Sequence, residues 1–365
     1  MSSRPFVIGR AETRLGISRW LVLVLVTLGI SVMADDTPAF QQQATPQPAA
    51  MKPPVIADLR TAASELPQLR SLLVSWRGEL IAEHYAAGAG ASRLANVKSA
   101  SKSIISTLVG IAIQRGLIKS IDEPIKTYFP ELTKDADRRK QEITIEDLLT
   151  MRSGLASTSG RNYGAWVQSG NWVRAVLAKP VVSEPGSDME YSTGSSHLLS
   201  AILTRVAGMS TWQFAQEALA RPMGISLARW PQDPQGIYFG GNEMLLTPKQ
   251  MLAIGELYLR RGQANGRQIV QASWVDDSCV PRTTSAYDSD RRYGYGWWIQ
   301  EFDGGTACFA WGYGGQYIFV FRDLDLVVTA TSSTAVSEER RGHRRRLFDL
   351  IEEHILAPVS RASAG

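Results

Sequence analysis

Ser99 and Lys102, three residues apart in Asn-Val-Lys-Ser-Ala-Ser-Lys-Ser (residues 96–103), stand in front of a run that carries no charge until Arg115. On a helix, positions i and i+3 share a face, so this spacing brings the lysine amine to the serine hydroxyl. A serine hydroxyl is a weak nucleophile until a neighbouring group takes its proton, and a lysine does this once burial lowers its pKa. The front end of a helix also favours negative charge developing there. A plainer explanation fits the same residues: a hydroxyl-rich start that caps the helix. Spacing alone does not decide, because a chain with these serine and lysine frequencies contains roughly one Ser-x-x-Lys by chance.

Other chemistries lack their signatures. No Gly-x-Ser-x-Gly occurs, which removes the nucleophile elbow of the α/β-hydrolases. The histidines His84, His197, His343 and His354 stand apart, with no His-x-His or His-x-x-x-His spacing and no cysteine cluster beside them. Neither a Walker loop nor a dinucleotide fingerprint is present. No metal and no cofactor is therefore expected.

The elements that must position Ser99 and Lys102 follow from periodicity. Residues 70–76 and 79–85 alternate as two strands joined by a turn at Arg77-Gly78. Ile104, Ile105, Leu108, Val109, Ile111, Ala112 and Ile113 leave almost no polar face, which predicts a buried helix that starts near Ser99 and stops at Gly116. From about 122 to 221 the patterns are helical. Thr247-Pro248 opens a further helix as cap and first residue. Strand patterns return at RYGYGWWI, CFAWGYGGQYIFVF and LVVTAT, and a last helix, begun near Ser337, places Leu347, Leu350, Ile351 and Ile355 on one face. The expected fold is α/β of the α+β type: an antiparallel β-sheet flanked by helices, fed by both ends of the chain, with a mostly helical insertion.

The chain has 365 residues and a formal charge of +4, of which Arg4, Arg10, Arg14 and Arg19 against Glu12 supply most. Nothing in that balance asks for a nucleic-acid partner. The basic front leads into an apolar run, Trp20 to Met33, shorter than the roughly 20 residues of a spanning helix. Residues 1–34 are expected to be a signal peptide cleaved after Ala34, so that the protein is secreted or periplasmic and keeps no stable membrane anchor. Residues 35–54, rich in Gln, Pro and Ala, read as a flexible linker, and 55–365 as one folded domain. Cys279 and Cys308 are the only cysteines. Either they pair, as an oxidising compartment allows, or they are two buried thiols.

Two further stretches add to Ser99-Ala100-Ser101-Lys102. Tyr191-Ser192-Thr193 precedes an amphipathic helix, and Tyr313-Gly314-Gly315 lies in a strand region whose glycines allow close backbone approach. Together they resemble the serine β-lactamase and penicillin-recognising family, with its Ser-x-x-Lys, Tyr-x-Asn and Lys-Thr-Gly in that order. The branch holding class C β-lactamases, D,D-peptidases, EstB-type esterases and 6-aminohexanoate oligomer hydrolases is the most similar. ITIEDLLTMRSGL resembles that family's "LLTHTSGL" segment, and the likeness runs over about residues 70 to 355. It implies a β-lactamase-like fold and an acyl-enzyme on Ser99. It implies Lys102 and Tyr191 as the proton-transfer pair, and the backbone N–H groups of Ser99 and Gln316 as the oxyanion hole. Thr193, Tyr313, Gly314 and Gly315 would contact a small-molecule or short-peptide substrate.

The sequence departs from the pattern twice: Thr193 stands where the family has Asn, and Tyr313 where it has the Lys that helps hold a substrate carboxylate. A neutral residue offers no charge-assisted hydrogen bond, worth about 1.5–3 kcal/mol, so the sequence points toward an esterase or amidase more than a true β-lactamase. A D,D-peptidase acting on cell-wall peptides and a catalytically silent binding protein on the same fold are the alternatives. The aromatic residues Tyr163, Trp166, Trp172, Trp297, Trp298 and Trp311 include candidates for an acyl pocket, with core packing expected for most. The arginines 340, 341, 344, 345 and 346 read as a solvated helix face.

Overall fold

The computed structural model describes residues 58–364, apart from Tyr287 and Ser337. The expected signal peptide (1–34) and linker (35–54) lie outside the described residues. Among those described, no helix is long and apolar enough to cross a membrane.

One eight-stranded antiparallel sheet organises the chain. From one edge to the other its strands are Glu79–Tyr85, Leu69–Trp76, Leu326–Ser332, Gln316–Phe321, Gly305–Gly312, Trp298–Phe302, Asp288–Tyr293 and Thr283–Ser285. The first hairpin turns at Arg77 and Gly78, both with positive φ (54° and 81°), the turn type whose twist matches the flanking strands. N-terminal strands are thus paired with the last strand, and the segment between them leaves the sheet.

Strand alternation assigns each sheet face to its own core. Along Gln316–Phe321, Tyr317, Phe319 and Phe321 face a layer holding Leu347, Leu350, Ile351 and Ile355 of the C-terminal segment. Ile318 and Val320 face the other layer with the helix Ser101–Gln114. Residues Ser101 to Ala112 of that helix are all buried, as its missing polar face predicts. The helix Pro248–Leu259 starts with a Thr247–Gln250 capping box and Pro248 in its first turn, and packs on the sheet beside it. Helices and 3₁₀ turns fill the span from Ile125 to Ala220, the longest being Thr193–Ala207.

The C-terminal helix begins later than the sequence suggests, at His343 behind Gly342 (φ 75°), so Arg340 and Arg341 precede it. The open question over the cysteines resolves to a disulfide: Cys279, ending the helix Ala272–Ser278, is bonded to Cys308 on the strand Gly305–Gly312.

Candidate active site

Ser99 sits in the 3₁₀ turn Lys98–Ala100 that leads into the buried helix. No side chain caps either segment, so the capping explanation of these hydroxyls does not hold. The residue before the serine, Lys98, has a left-handed backbone (φ 51°), a conformation that costs an ordinary residue about 1–2 kcal/mol. It is held there from both ends. Its N–H donates to Asn96 Oδ1 at 3.0 Å, and its Nζ pairs with Glu243 Oε1 at 2.9 Å.

Lys102 Nζ donates to Ser99 Oγ at 3.1 Å, to Thr193 Oγ1 at 3.3 Å and to the Gly241 carbonyl at 2.6 Å. The Tyr191 phenol lies beside the same serine side chain, which lowers its pKa in part. Lys102 Nζ also lies 5.0 Å from the centre of the Tyr191 ring. Burial pushes the Lys102 amine down to about 7 and the Tyr191 phenol up to about 12, the latter offset in part by Ser99 beside it. Near neutral pH the amine is therefore poised to accept a proton, while the phenol keeps its own.

Tyr191 and Thr193 are positioned by a neighbouring tripeptide. Ser157 Oγ donates to the Tyr191 carbonyl (2.7 Å), Thr158 and Ser192 hydroxyls meet at 3.0 Å, and Ser159 Oγ meets Thr193 Oγ1 at 2.8 Å. The Thr193 N–H also donates to Ser159 Oγ, and the Gly194 N–H to Thr158 Oγ1. The Thr193 hydroxyl is thereby turned to Lys102 and Ser159 at the edge of the cleft.

Tyr313, Gly314 and Gly315 do not lie within a strand. They form the turn between Gly305–Gly312 and Gln316–Phe321, with φ of 94° and 107° at the two glycines. Gly312 closes the first strand so near the nucleophile turn that a Cβ there would lie 2.0 Å from the Val97 carbonyl oxygen. This close approach seats the Lys98–Ala100 turn against the strand opened by Gln316. Gln316 is buried and clamps Ser332 in both directions, its Nε2 donating to the carbonyl (2.7 Å) and its Oε1 accepting from the N–H (3.3 Å). The buried His343 holds the Ser332 hydroxyl at 2.9 Å behind it. The position of Tyr313 is not neutral, contrary to the sequence reading. Arg340 Cζ stacks 3.5 Å above the Tyr313 ring, and its guanidinium donates to the phenol oxygen.

Two clefts meet at Ser99, Glu190, Tyr191 and Tyr313. The larger, about 1070 Å³, is bordered by Ser159, Tyr163, Asn242 and Glu243. The smaller, about 400 Å³, is walled by Trp298 and Trp311 together with Arg291 and Arg344. Of the remaining aromatics, Trp166 and Trp172 pack around His197 and Phe239, and Trp297 lies on Tyr258; these are core. Sequence reasoning missed the Ser157–Ser159 clamp, the Gly241 carbonyl and Arg291. It also took Arg340 for solvated charge, whereas Arg341, Arg344, Arg345 and Arg346 are exposed as expected.

The beta-lactamase family model matches residues 70–352. Over 353 residues the chain is 25% identical to the 6-aminohexanoate-dimer hydrolase of Paenarthrobacter ureafaciens, covering 86% of each. Among solved structures, a penicillin-binding protein homolog from Caulobacter crescentus superposes with a TM-score of 0.67 at 16% identity, over 85% of this chain and 99% of that one. A family VIII carboxylesterase gives 0.64 at 16% identity, over 84% and 99%. The sheet with its flanking helices is the beta-lactamase-like fold, and the chain belongs to the beta-lactamase family of serine hydrolases.

Proposed function

We propose that this protein is an exported hydrolase that cleaves small carboxylic esters or amides through an acyl-enzyme on Ser99. The observation that carries the proposal is the 3.1 Å contact between Lys102 Nζ and Ser99 Oγ, made by an amine held near 7. As Ser99 Oγ bonds to the acyl carbon, its proton passes to the neutral Lys102 amine. The oxygen that becomes negative accepts from the N–H groups of Ser99 and Gln316, donors that contribute roughly 3–4 kcal/mol each to such steps. When the bond to the leaving group breaks, that group takes a proton from Tyr191, whose high pKa keeps it protonated for the purpose. Water then releases the acyl group by the same proton transfers in reverse. The two clefts on either side of Ser99 suit a small acyl part and a small leaving part. Export is supported by the leader and by the Cys279–Cys308 disulfide.

The test is turnover of p-nitrophenyl butyrate and of a chromogenic cephalosporin by purified protein, with Ser99→Ala as the blank. Ester turnover abolished in the variant, with little cephalosporin turnover, is expected. Ester hydrolysis retained in full by Ser99→Ala removes the proposal.

A further inference from the structure

Two residues with left-handed backbones face each other beside the nucleophile, and neither is a glycine. Lys98 has a φ of 51° and Glu243 one of 66°. Residues with long side chains rarely adopt this region, so each must be held in it. Both stand where a short ladder ends. Ala95 and Asn96 pair with Leu246 and Leu245, and the Val97 N–H donates to the Met244 carbonyl at 2.9 Å. Directly beyond, a closed ring of side chains ties the two segments together. Asn96 Oδ1 accepts the Lys98 N–H at 3.0 Å, the Asn96 amide donates to Glu243 Oε2, and Glu243 Oε1 takes Lys98 Nζ at 2.9 Å.

The ring fixes the peptide between Lys98 and Ser99. The Lys98 carbonyl accepts from Ser101 Oγ at 2.6 Å, and that oxygen in turn accepts the Met244 N–H at 3.2 Å. The peptide is trans, so the Ser99 N–H points the opposite way, out of the side of the turn where Ser101 is buried. Moving Lys98 out of the left-handed region would rotate this peptide and carry the N–H with it. The Glu243 segment also supplies, two residues earlier, the Gly241 carbonyl that holds Lys102 Nζ at 2.6 Å. One ring therefore sets both the backbone donor at Ser99 and the segment that holds the base. A partly exposed ion pair adds little to a fold by itself, and this one, with side chains 23% and 25% exposed, does not need two strained backbones in order to form.

We propose that Glu243, together with Asn96, is a positioning residue of the reaction: through Lys98 it holds the backbone that aims the Ser99 N–H at the developing oxyanion. The inference rests on Ser99 being the nucleophile, and its test separates a failure of the ring from a failure of that reading.

Glycine takes a left-handed backbone at no steric cost and alanine does not, while both remove the Lys98 side chain and its ion pair. For p-nitrophenyl butyrate, kcat in Lys98→Ala is expected to fall about tenfold or more with KM within about twofold, as a misaimed oxyanion donor requires. Lys98→Gly should stand at least about fivefold above Lys98→Ala in kcat, because its turn is no longer strained. Glu243→Gln should lose about tenfold in kcat in the wild-type background and less than about twofold in Lys98→Gly, where the ring has nothing left to hold. Equal kcat in the alanine and glycine variants overturns the assignment, since Lys98 would then act through its amine. A Glu243→Gln loss that persists in Lys98→Gly, or appears in KM, overturns it too and makes Glu243 a substrate contact. If Lys98→Ala does not fold, Glu243→Gln with and without Lys98→Gly carries the same test. Absence of ester turnover in the wild type removes the hydrolase reading and the assignment together; turnover in the wild type with any of the contrary outcomes removes the assignment alone.

Discussion

Replacing Lys102 by methionine should inactivate the protein and make it more stable at slightly acid pH. Burial holds the folded amine at about 7, against 10.5 for an ordinary lysine. The folded value is lowered, so between these limits the unfolded chain binds a proton that the fold refuses, and stability rises with pH from about 7 to about 10.5. At roughly 1.4 kcal/mol for each unit of pKa, Lys102 costs the fold about 5 kcal/mol below pH 7, about 2 kcal/mol at pH 9 and almost nothing above 10.5. Against this stand the three hydrogen bonds of Nζ to Ser99, Thr193 and Gly241, worth about 1 kcal/mol each. Methionine fills a similar volume without the charge. The variant should therefore gain about 2 kcal/mol at pH 6, or about 3 °C in Tm for a domain of this size, and be no more stable than wild type at pH 9. Thermal unfolding of both proteins at the two pH values gives the gap directly, and every other titrating group is common to them. A gap that does not change between pH 6 and pH 9, or a variant less stable at pH 6, refutes the desolvated amine. Ester turnover should fall by far more than tenfold; a smaller loss takes Lys102 out of the mechanism.

The same amine sets the pH dependence of catalysis: kcat/KM for a neutral ester should rise about tenfold per unit below pH 7 and level off above it, and a flat profile between pH 5 and 9 contradicts a lysine base. Tyr191→Phe keeps the ring stacked on Trp298 at 5.8 Å and loses only the hydroxyl beside Ser99. Its kcat should drop by about 10²–10⁴ with KM little changed, whereas a loss below tenfold assigns the donor elsewhere. Cys279 and Cys308 close a loop with a sequence separation of 29. Replacing both by serine should cost about 3 kcal/mol, read as a lower urea midpoint that reductant no longer shifts, and a midpoint equal to wild type would show that the bond adds nothing.

Periodicity made most elements legible because each depends on neighbours in sequence. The apolar run from Ile104 dictated a helix buried all round, and Thr247-Pro248 marked a start that the capping box with Gln250 now explains. Ser99, Lys102 and Tyr191 were legible too, from i,i+3 geometry and from the order of three short motifs. What stayed hidden depends on partners far away in the chain. The clamp by Ser157, Thr158 and Ser159 acts 34 residues downstream, and the Gly241 carbonyl meets Lys102 across a separation of 139. A backbone carbonyl leaves no mark in residue type, and three small hydroxyl residues before Gly160 look like any loop. Arg340 shows a different failure. Judged by its charge and its neighbours it belonged to a solvated helix, but Gly342 delays the helix and leaves Arg340 free to lie on Tyr313.

Burial accounts for both halves of the proton chemistry. The same exclusion of water that disfavours a charged amine at Lys102 disfavours a charged phenolate at Tyr191, so one group is driven to give up its proton and the other to keep it. Both act on one side chain, Ser99, and among the described residues neither has a carboxylate partner. An acid placed against Lys102 would restore its charge and end its use as a base. The partners it does have, two hydroxyls and the Gly241 carbonyl, hold the nitrogen in place without supplying that charge. The His197–Asp233 pair belongs to the same design. Asp233 takes the His197 Nε2 contact at 3.0 Å, His197 Nδ1 accepts the Gly240 N–H at 3.4 Å, and the next residue presents its carbonyl to Lys102. The buried Asp233 carboxylate thus bonds His197 and the N–H groups of Gln235 and Ile237, and it fixes the loop that reaches the amine. Neutral acceptors around Lys102 and a charged group one layer further out are what a lysine base at neutral pH requires.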